Sequence, residues 1–136
     1  MTPEPTQSPS KNWRGTGTVL VVDDEASVRA IATRMLELFG FSVLVANDGR
    51  EGVEMFRANK DTISVVILDM TMPHLNGEEA FHEIRRIRSD AQVLLVSGYN
   101  EQDAIDRFAG HGLAGFLQKP FSPIELRDKL RRILEK

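Results

Sequence analysis

The sequence predicts a doubly wound α/β domain of (βα)5 type, with a five-stranded parallel sheet in the order 2-1-3-4-5. Three observations carry this. Short apolar runs rich in β-branched residues recur at Val19–Val22, Val43–Val45, Val65–Leu68, Val93–Val96 and, more weakly, Phe116–Leu117. Runs of this length without polar alternation suit parallel strands buried on both faces. Segments of helical periodicity separate them, and such alternation winds helices onto both faces of a parallel sheet through right-handed crossovers. Five strands are too few for an eight-stranded barrel, which leaves an open sheet, most often of this order.

Each element has its own signal. Residues 1–17 hold three of the six prolines, several Ser and Thr, and no Val, Ile or Leu, so they read as a flexible linker or tail; residues 18–136 form the domain. Trp13 within that segment reads either as a tail residue or as one that docks onto the domain or a neighbour. After strand 1, Val28, Ile31, Ala32, Met35 and Phe39 make a helical stripe, and Gly40 stands at the position of a C′ glycine. After strands 2, 3 and 4, Asp48 with Glu51, Asn76 with Glu79 and Asn100 with Asp103 each pair an N-cap residue with an acid three later. Ser122-Pro123-Ile124-Glu125 is a capping box with proline at N1, and Leu126, Leu130, Ile133 and Leu134 continue it at helical spacing.

Composition bounds the function. The chain has 136 residues, 41% hydrophobic and 27% charged, with a formal net charge of −3. That is one ordinary globular domain. Mild acidity argues against nucleic acid as a direct partner, because phosphate binding needs a positive field. Lys129, Arg131, Arg132 and Lys136 read as a solvated helix face whose cations complement the helix dipole. With no cysteine, disulfides, thiolate metal sites and cysteine nucleophiles are excluded. No apolar run reaches membrane-spanning length and no signal-peptide core is visible, so a cytoplasmic location without membrane contact is expected. His74, His82 and His111 lack metal-ligand spacing and read as surface residues.

In open α/β sheets, function collects beyond the carboxyl ends of the strands. Strand 1 ends in Asp23-Asp24, strand 3 in Asp69, strand 4 in Ser97 and strand 5 in Lys119-Pro120. In the 2-1-3-4-5 order these four strands are neighbours, so three carboxylates, a hydroxyl and an ammonium meet at one rim. Taken singly, Asp24 could merely cap the first helix and Asp69 could open a turn before Pro73; four strand ends agreeing is a stronger signal. The acids and the lysine together carry a charge of −2, which a divalent hard cation with oxygen ligands would neutralise. Mg²⁺ suits such a set, with Mn²⁺ able to take its place. A metal, an ammonium, a hydroxyl and a carboxylate are a parts list for phosphoryl transfer. No GxxxxGK[ST] loop supports a nucleotide. An Asp, with an ordinary pKa of about 3.9, is already ionised at neutral pH and can act as nucleophile without a general base.

From Val19 to the end, the chain resembles the receiver domains of two-component response regulators, which have a flavodoxin-like fold. The motifs are Val19-Leu-Val-Val-Asp-Asp-Glu25, Leu68-Asp-Met-Thr-Met-Pro73 with Gly77, Val96-Ser-Gly-Tyr99 and Phe116-Leu-Gln-Lys-Pro-Phe121. The resemblance implies that Asp69 is the phosphoacceptor, that Asp24 binds Mg²⁺ directly and Asp23 mainly through water, and that the Thr71 backbone carbonyl completes the protein's ligands. It implies that Ser97 and Lys119 bind the phosphoryl group, that Pro120 follows a bond often cis, and that Ser97 and Phe116 act as switch residues. Phe116 reads equally as a core aromatic, and both roles can hold. Thr71 and Tyr99 would tune phosphoryl lifetime, the bulky Tyr99 slowing hydrolysis. The implied donor is a histidine kinase or histidine phosphotransfer domain, docking on the first helix and the loop after strand 5. The response is a repacking of the face made by strand 4, the helix after it, strand 5 and the last helix. The chain is then a signalling phosphoacceptor, assisting its own phosphorylation and dephosphorylation, rather than an enzyme. Trp13-Arg-Gly-Thr-Gly17 and the versions of the later motifs also resemble the C-terminal receiver of a hybrid sensor kinase, which would put the domain at the cytoplasmic face of a membrane. A stand-alone regulator is the rival, and the oligomeric state is open.

Three other functions compete. A haloacid-dehalogenase-like phosphatase also uses a strand-end Asp with Mg²⁺, but needs a second Asp where Thr71 stands. A flavodoxin-like cofactor binder needs a small-residue phosphate loop where this chain has Asp23-Asp24-Glu25, whose charge repels phosphate. A degenerate receiver used only for docking would not need the intact set of acids, Ser97 and Lys119.

Overall fold

The computed structural model describes residues 15–70, 77–98 and 113–135. The elements are β1 (Thr18–Val22), α1 (Ala26–Phe39), β2 (Ser42–Ala46), α2 (Gly49–Ala58), β3 (Ile63–Asp69), α3 (Gly77–Ile87), β4 (Val93–Ser97), β5 (Gly115–Gln118) and the last helix, α4 (Pro123–Leu134). The strands form one parallel sheet in the order β2-β1-β3-β4-β5, as the sequence predicts. The helix expected from Asn100 and Asp103, the cap expected at Asn76, and Trp13, Pro73, His74 and His111 lie outside the described residues.

Strand side chains alternate between two cores. Leu20 and Val22 of β1, Val66 and Leu68 of β3, Val93 and Leu95 of β4 and Phe116 of β5 pack with Val53 and Phe56 of α2 and Phe81 and Ile84 of α3. Their neighbours Val19, Val21, Val65, Ile67, Leu94, Val96 and Leu117 pack with Ala32, Leu36 and Phe39 of α1 and Leu126, Leu130 and Ile133 of α4. Period-two alternation against two apolar layers is what a strand buried on both faces requires. Arg127 of α4 adds a cation–π contact 5.4 Å from the Phe39 ring centroid, tying the two helices of one layer together.

The helix ends follow their signals. Asp48 accepts the Glu51 N–H at 2.8 Å. Ser122 and Glu125 close the capping box in both directions, at 3.1 and 2.8 Å. Gly40 ends α1 at φ 107°, with the N–H groups of Gly40 and Phe41 donated to the Glu37 and Leu36 carbonyls. α1 starts differently: Glu25 is its N-cap and makes no side-chain cap bond, so Asp24 is not spent on capping.

Two expectations need correction. β2 is an edge strand, half-covered at Val43 and Leu44 and exposed at Val45, because it has a neighbour on one side only. Ile31 is 56% exposed; α1 buries Ala32, Leu36 and Phe39 instead, a stripe rotated toward the sheet. Residues 15–17 lie against the domain: Gly15 donates its N–H to the Phe39 carbonyl at 2.7 Å and the Ser42 N–H bonds the Gly17 carbonyl at 3.0 Å.

Candidate functional site

Strand register builds the site. Val22 pairs with Leu68, Asp69 with Val96, and Ser97 with Gln118. Asp23, Asp69, Ser97 and Lys119 therefore follow one another across the carboxyl rim of β1, β3, β4 and β5. Backbone bonds continue past the strands at the same level: the Met70 N–H reaches the Val96 carbonyl at 2.9 Å, and the Lys119 N–H reaches the Ser97 carbonyl at 2.8 Å. The Lys119–Pro120 bond is cis.

Asp23, Asp69 and Ser97 are buried; Asp24 is exposed. One carboxylate oxygen from each of Asp23, Asp24 and Asp69 lies within 4.8 Å of the others. Lys119 Nζ stands among the acids, 3.0 Å from Asp23 Oδ2, 3.7 Å from Asp69 Oδ1 and 3.9 Å from Glu25 Oε1. Burial would lower the pKa of Lys119, but the hydrogen bond to Asp23 and the charges of Asp69, Asp23 and Glu25 together outweigh it and hold the value above its ordinary 10.5. The ammonium is therefore charged throughout the neutral range. Asp23 Oδ1 accepts the Glu25 N–H at 2.9 Å, so both oxygens of this buried carboxylate are engaged.

The donor set fits a hard divalent cation. It offers carboxylate oxygens and neither nitrogen nor sulfur. Ligand oxygens of an octahedron with bonds of about 2.1 Å lie roughly 3–4.2 Å apart, close to the observed spread. Asp23, Asp24 and Asp69 would hold the ion. Thr71 and Tyr99 lie outside the described residues. Phe116 is buried in the core cluster with Leu95 and Phe81, so the core reading of that residue holds in this structure.

Three residues near the rim carry more than the sequence reading assigned them. Gly77 donates its N–H to the Met70 carbonyl at 3.0 Å, and a Cβ there would lie 2.5 Å from the Asp69 carbonyl oxygen. Only glycine lets α3 start this close to the strand that carries Asp69. Glu25 adds a carboxylate near Lys119. Arg29 Nη1 donates to the Asp23 carbonyl at 2.8 Å. Arg29 falls four residues after Glu25, so its place on the first turn of α1 was legible; its reach back to the strand end was not.

A sequence model for the response regulator receiver domain matches residues 19–131. The "Probable transcriptional regulator ycf27" of Guillardia theta is 38% identical over 120 residues, 87% of this chain and 45% of the relative. The "Sensor kinase CckA" of Brucella abortus is 34% identical over 122 residues, 90% of this chain and 13% of the relative. The chain thus spans under half the length of these curated relatives. Among solved structures, a response regulator receiver domain protein from Clostridium thermocellum superposes with a TM-score of 0.82 at 30% identity, covering 88% of this chain and 94% of that one. The response regulator TrrA of Thermotoga maritima, solved in complex with Mg(2+)-BeF, gives 0.74 at 29% identity, covering 86% and 98%.

Proposed function

Since the chain belongs to the response regulator receiver domains, we propose that Asp69 is its phosphoacceptor and takes the phosphoryl group from a phosphohistidine on a histidine kinase or histidine phosphotransfer domain. The observation that carries this is the cluster of Asp23, Asp24 and Asp69 within 4.8 Å, with Lys119 Nζ 3.0 Å from Asp23 and 3.7 Å from Asp69. An Asp69 carboxylate oxygen attacks phosphorus, the P–N bond breaks, and its electron pair leaves on the imidazole nitrogen. No proton need be removed from the nucleophile.

Mg²⁺ held by Asp23, Asp24, Asp69 and the Thr71 carbonyl would supply charge neutralisation for the transferring oxygens. Lys119 supplies a second, permanent cation beside Asp69, and the Ser97 hydroxyl a hydrogen bond at the end of the adjacent strand. The product, an acyl phosphate of about −2, carries roughly one more negative charge than the free carboxylate. That charge draws Lys119 and Ser97 toward Asp69, and movement of Ser97 opens room for Phe116 to repack β4, the segment after it, β5 and α4. This is a shift between two populated states of one fold. Thr71 and Tyr99 tune the lifetime, with Tyr99 shielding the phosphoryl group from water. The domain comprises residues 18–136 and works in the cytoplasm, or at the cytoplasmic face of a membrane if it is the receiver of a hybrid kinase.

The test is intact mass after incubation with a small-molecule phosphodonor, with and without Mg²⁺. One phosphoryl group gained, with Mg²⁺ only and lost in Asp69→Asn, is the expected result. Absence of both phosphoryl gain and Mg²⁺-dependent beryllofluoride binding would reduce the chain to a docking module.

A further inference from the structure

We infer that Arg29 is a positioning residue for the cation site, setting how the Asp23–Asp24 turn presents its carboxylates. This rests on the reading of Asp23, Asp24 and Asp69 as a Mg²⁺ site. The carbonyl that Arg29 Nη1 holds at 2.8 Å belongs to the peptide joining Asp23 to Asp24. A peptide is planar, so fixing its oxygen fixes the plane, and with it ψ of Asp23 and φ of Asp24. Those two angles direct the Asp24 side chain, the exposed and least supported member of the cluster.

From the helix side the turn is also held by the Glu25 N–H, which donates to the Asp23 carboxylate at 2.9 Å. The N-cap, Glu25, makes no side-chain cap bond. On the strand side the Asp23 N–H bonds the Ala46 carbonyl at 3.2 Å, and neither of these bonds holds the Asp23 carbonyl itself. Arg29 is itself anchored in the first turn of α1, its N–H donated to the Glu25 carbonyl at 3.0 Å. The guanidinium thus ties a rigid helix to the one peptide on which both acids hang. Groups that orient metal ligands from behind typically matter 10–100-fold in metal affinity.

Charge and position predict opposite signs, which makes the inference testable. Arg29 is a cation beside a cation site. If it acts only through its charge, removing it tightens Mg²⁺ binding. If it positions the turn, removing it weakens binding. Isothermal titration of Mg²⁺ into the full chain would compare the native protein with Arg29→Gln, Arg29→Lys and Arg34→Gln, the last removing an exposed charge elsewhere on α1. Urea unfolding in metal-free buffer would establish that each variant folds. The expected result is about tenfold weaker binding for Arg29→Gln, a smaller loss for Arg29→Lys, which keeps the charge and a donor, and unchanged or slightly tighter binding for Arg34→Gln. Native-like or tighter binding by Arg29→Gln overturns the inference while leaving the cation site standing. If Arg29→Gln does not fold, Arg29→Lys decides: with charge retained and reach altered, several-fold weaker binding supports positioning and unchanged binding overturns it. A native chain that does not bind Mg²⁺ overturns the cation-site reading, and this inference with it.

Discussion

Lys119 and Asp24 pull on the stability of the metal-free protein in opposite directions. The Asp23 carboxylate is nearly inaccessible and is paired with the Lys119 ammonium at 3.0 Å. Lys119→Met leaves that charge buried beside Asp69 with its partner removed, which should cost about 1–3 kcal/mol, less than the roughly 3–5 kcal/mol for breaking a fully buried pair, because Lys119 is itself partly exposed. Asp24→Asn removes one of three crowded carboxylates and should raise metal-free stability by about 0.5–1 kcal/mol while abolishing Mg²⁺ binding. Urea titrations in chelator-treated buffer check both; a Lys119→Met protein as stable as the native chain would mean that the ammonium does not hold the acids together. The raised pKa of Lys119 fixes the pH window. Its contribution is fully present below 10.5 and is lost as pH rises through the higher folded value, so the lysine itself adds no slope near neutrality.

The start of α3 shows how one element's placement bears on the site. A Cβ on Gly77 would lie 2.5 Å from the Asp69 carbonyl oxygen and 2.6 Å from Met70 Cα. Both are backbone atoms of the strand end and cannot rotate away. Gly77→Ala should therefore cost about 1–3 kcal/mol as overpacking and slow phosphoryl uptake by displacing Asp69. Gly98→Ala is the matched control, one residue beyond Ser97, where an added Cβ meets nothing within 4 Å; it should change stability by less than about 0.5 kcal/mol. Thermal melts and mass-detected phosphorylation of the two variants separate the cases, and equal behaviour would refute the packing argument. The same elements mark what the sequence made legible. The apolar runs, the caps at Asp48 and Ser122 and the αL end at Gly40 are local signals, and each landed within a residue or two. The four strand-end groups were legible because in-register parallel strands turn sequence position into a row along one rim. The rotation of α1, which exposes Ile31 and buries Leu36, is set by contact with the sheet, so a stripe read along one helix misses it. The partial exposure of Val43 and Leu44 comes from the edge position of β2, which a run of apolar letters does not carry. Arg29 reaching the Asp23 carbonyl depends on a side-chain path across a turn, which spacing leaves undetermined.

At the scale of the whole molecule, four of the five parallel strands contribute a group at the carboxyl rim, so a ligand there is coupled to the sheet as a unit. Asp23 follows β1, Asp69 ends β3 and Lys119 follows β5, and pulling these apart requires separating strands whose side chains fill both cores. A cation bound by Asp23, Asp24 and Asp69 is bound only when β1 and β3 are side by side, and so only by the folded chain. Such binding adds RT ln(1 + [L]/Kd), about 1.4 kcal/mol at a tenfold excess over Kd. For a domain of this size that raises the melting temperature by roughly 5 °C. The gain should follow Mg²⁺ concentration logarithmically once above Kd, and Ca²⁺ should serve less well, because it seeks more ligands at longer distances than this small acid set supplies. Asp24→Asn should melt at the same temperature with and without Mg²⁺, whereas Gly98→Ala should show the native shift. Calorimetry of the three proteins across Mg²⁺ and Ca²⁺ series checks these outcomes. A native protein whose melting temperature ignores Mg²⁺ would disconnect the acid cluster from the fold that assembles it, and an Asp24→Asn protein that kept the full shift would place the ion elsewhere on the surface.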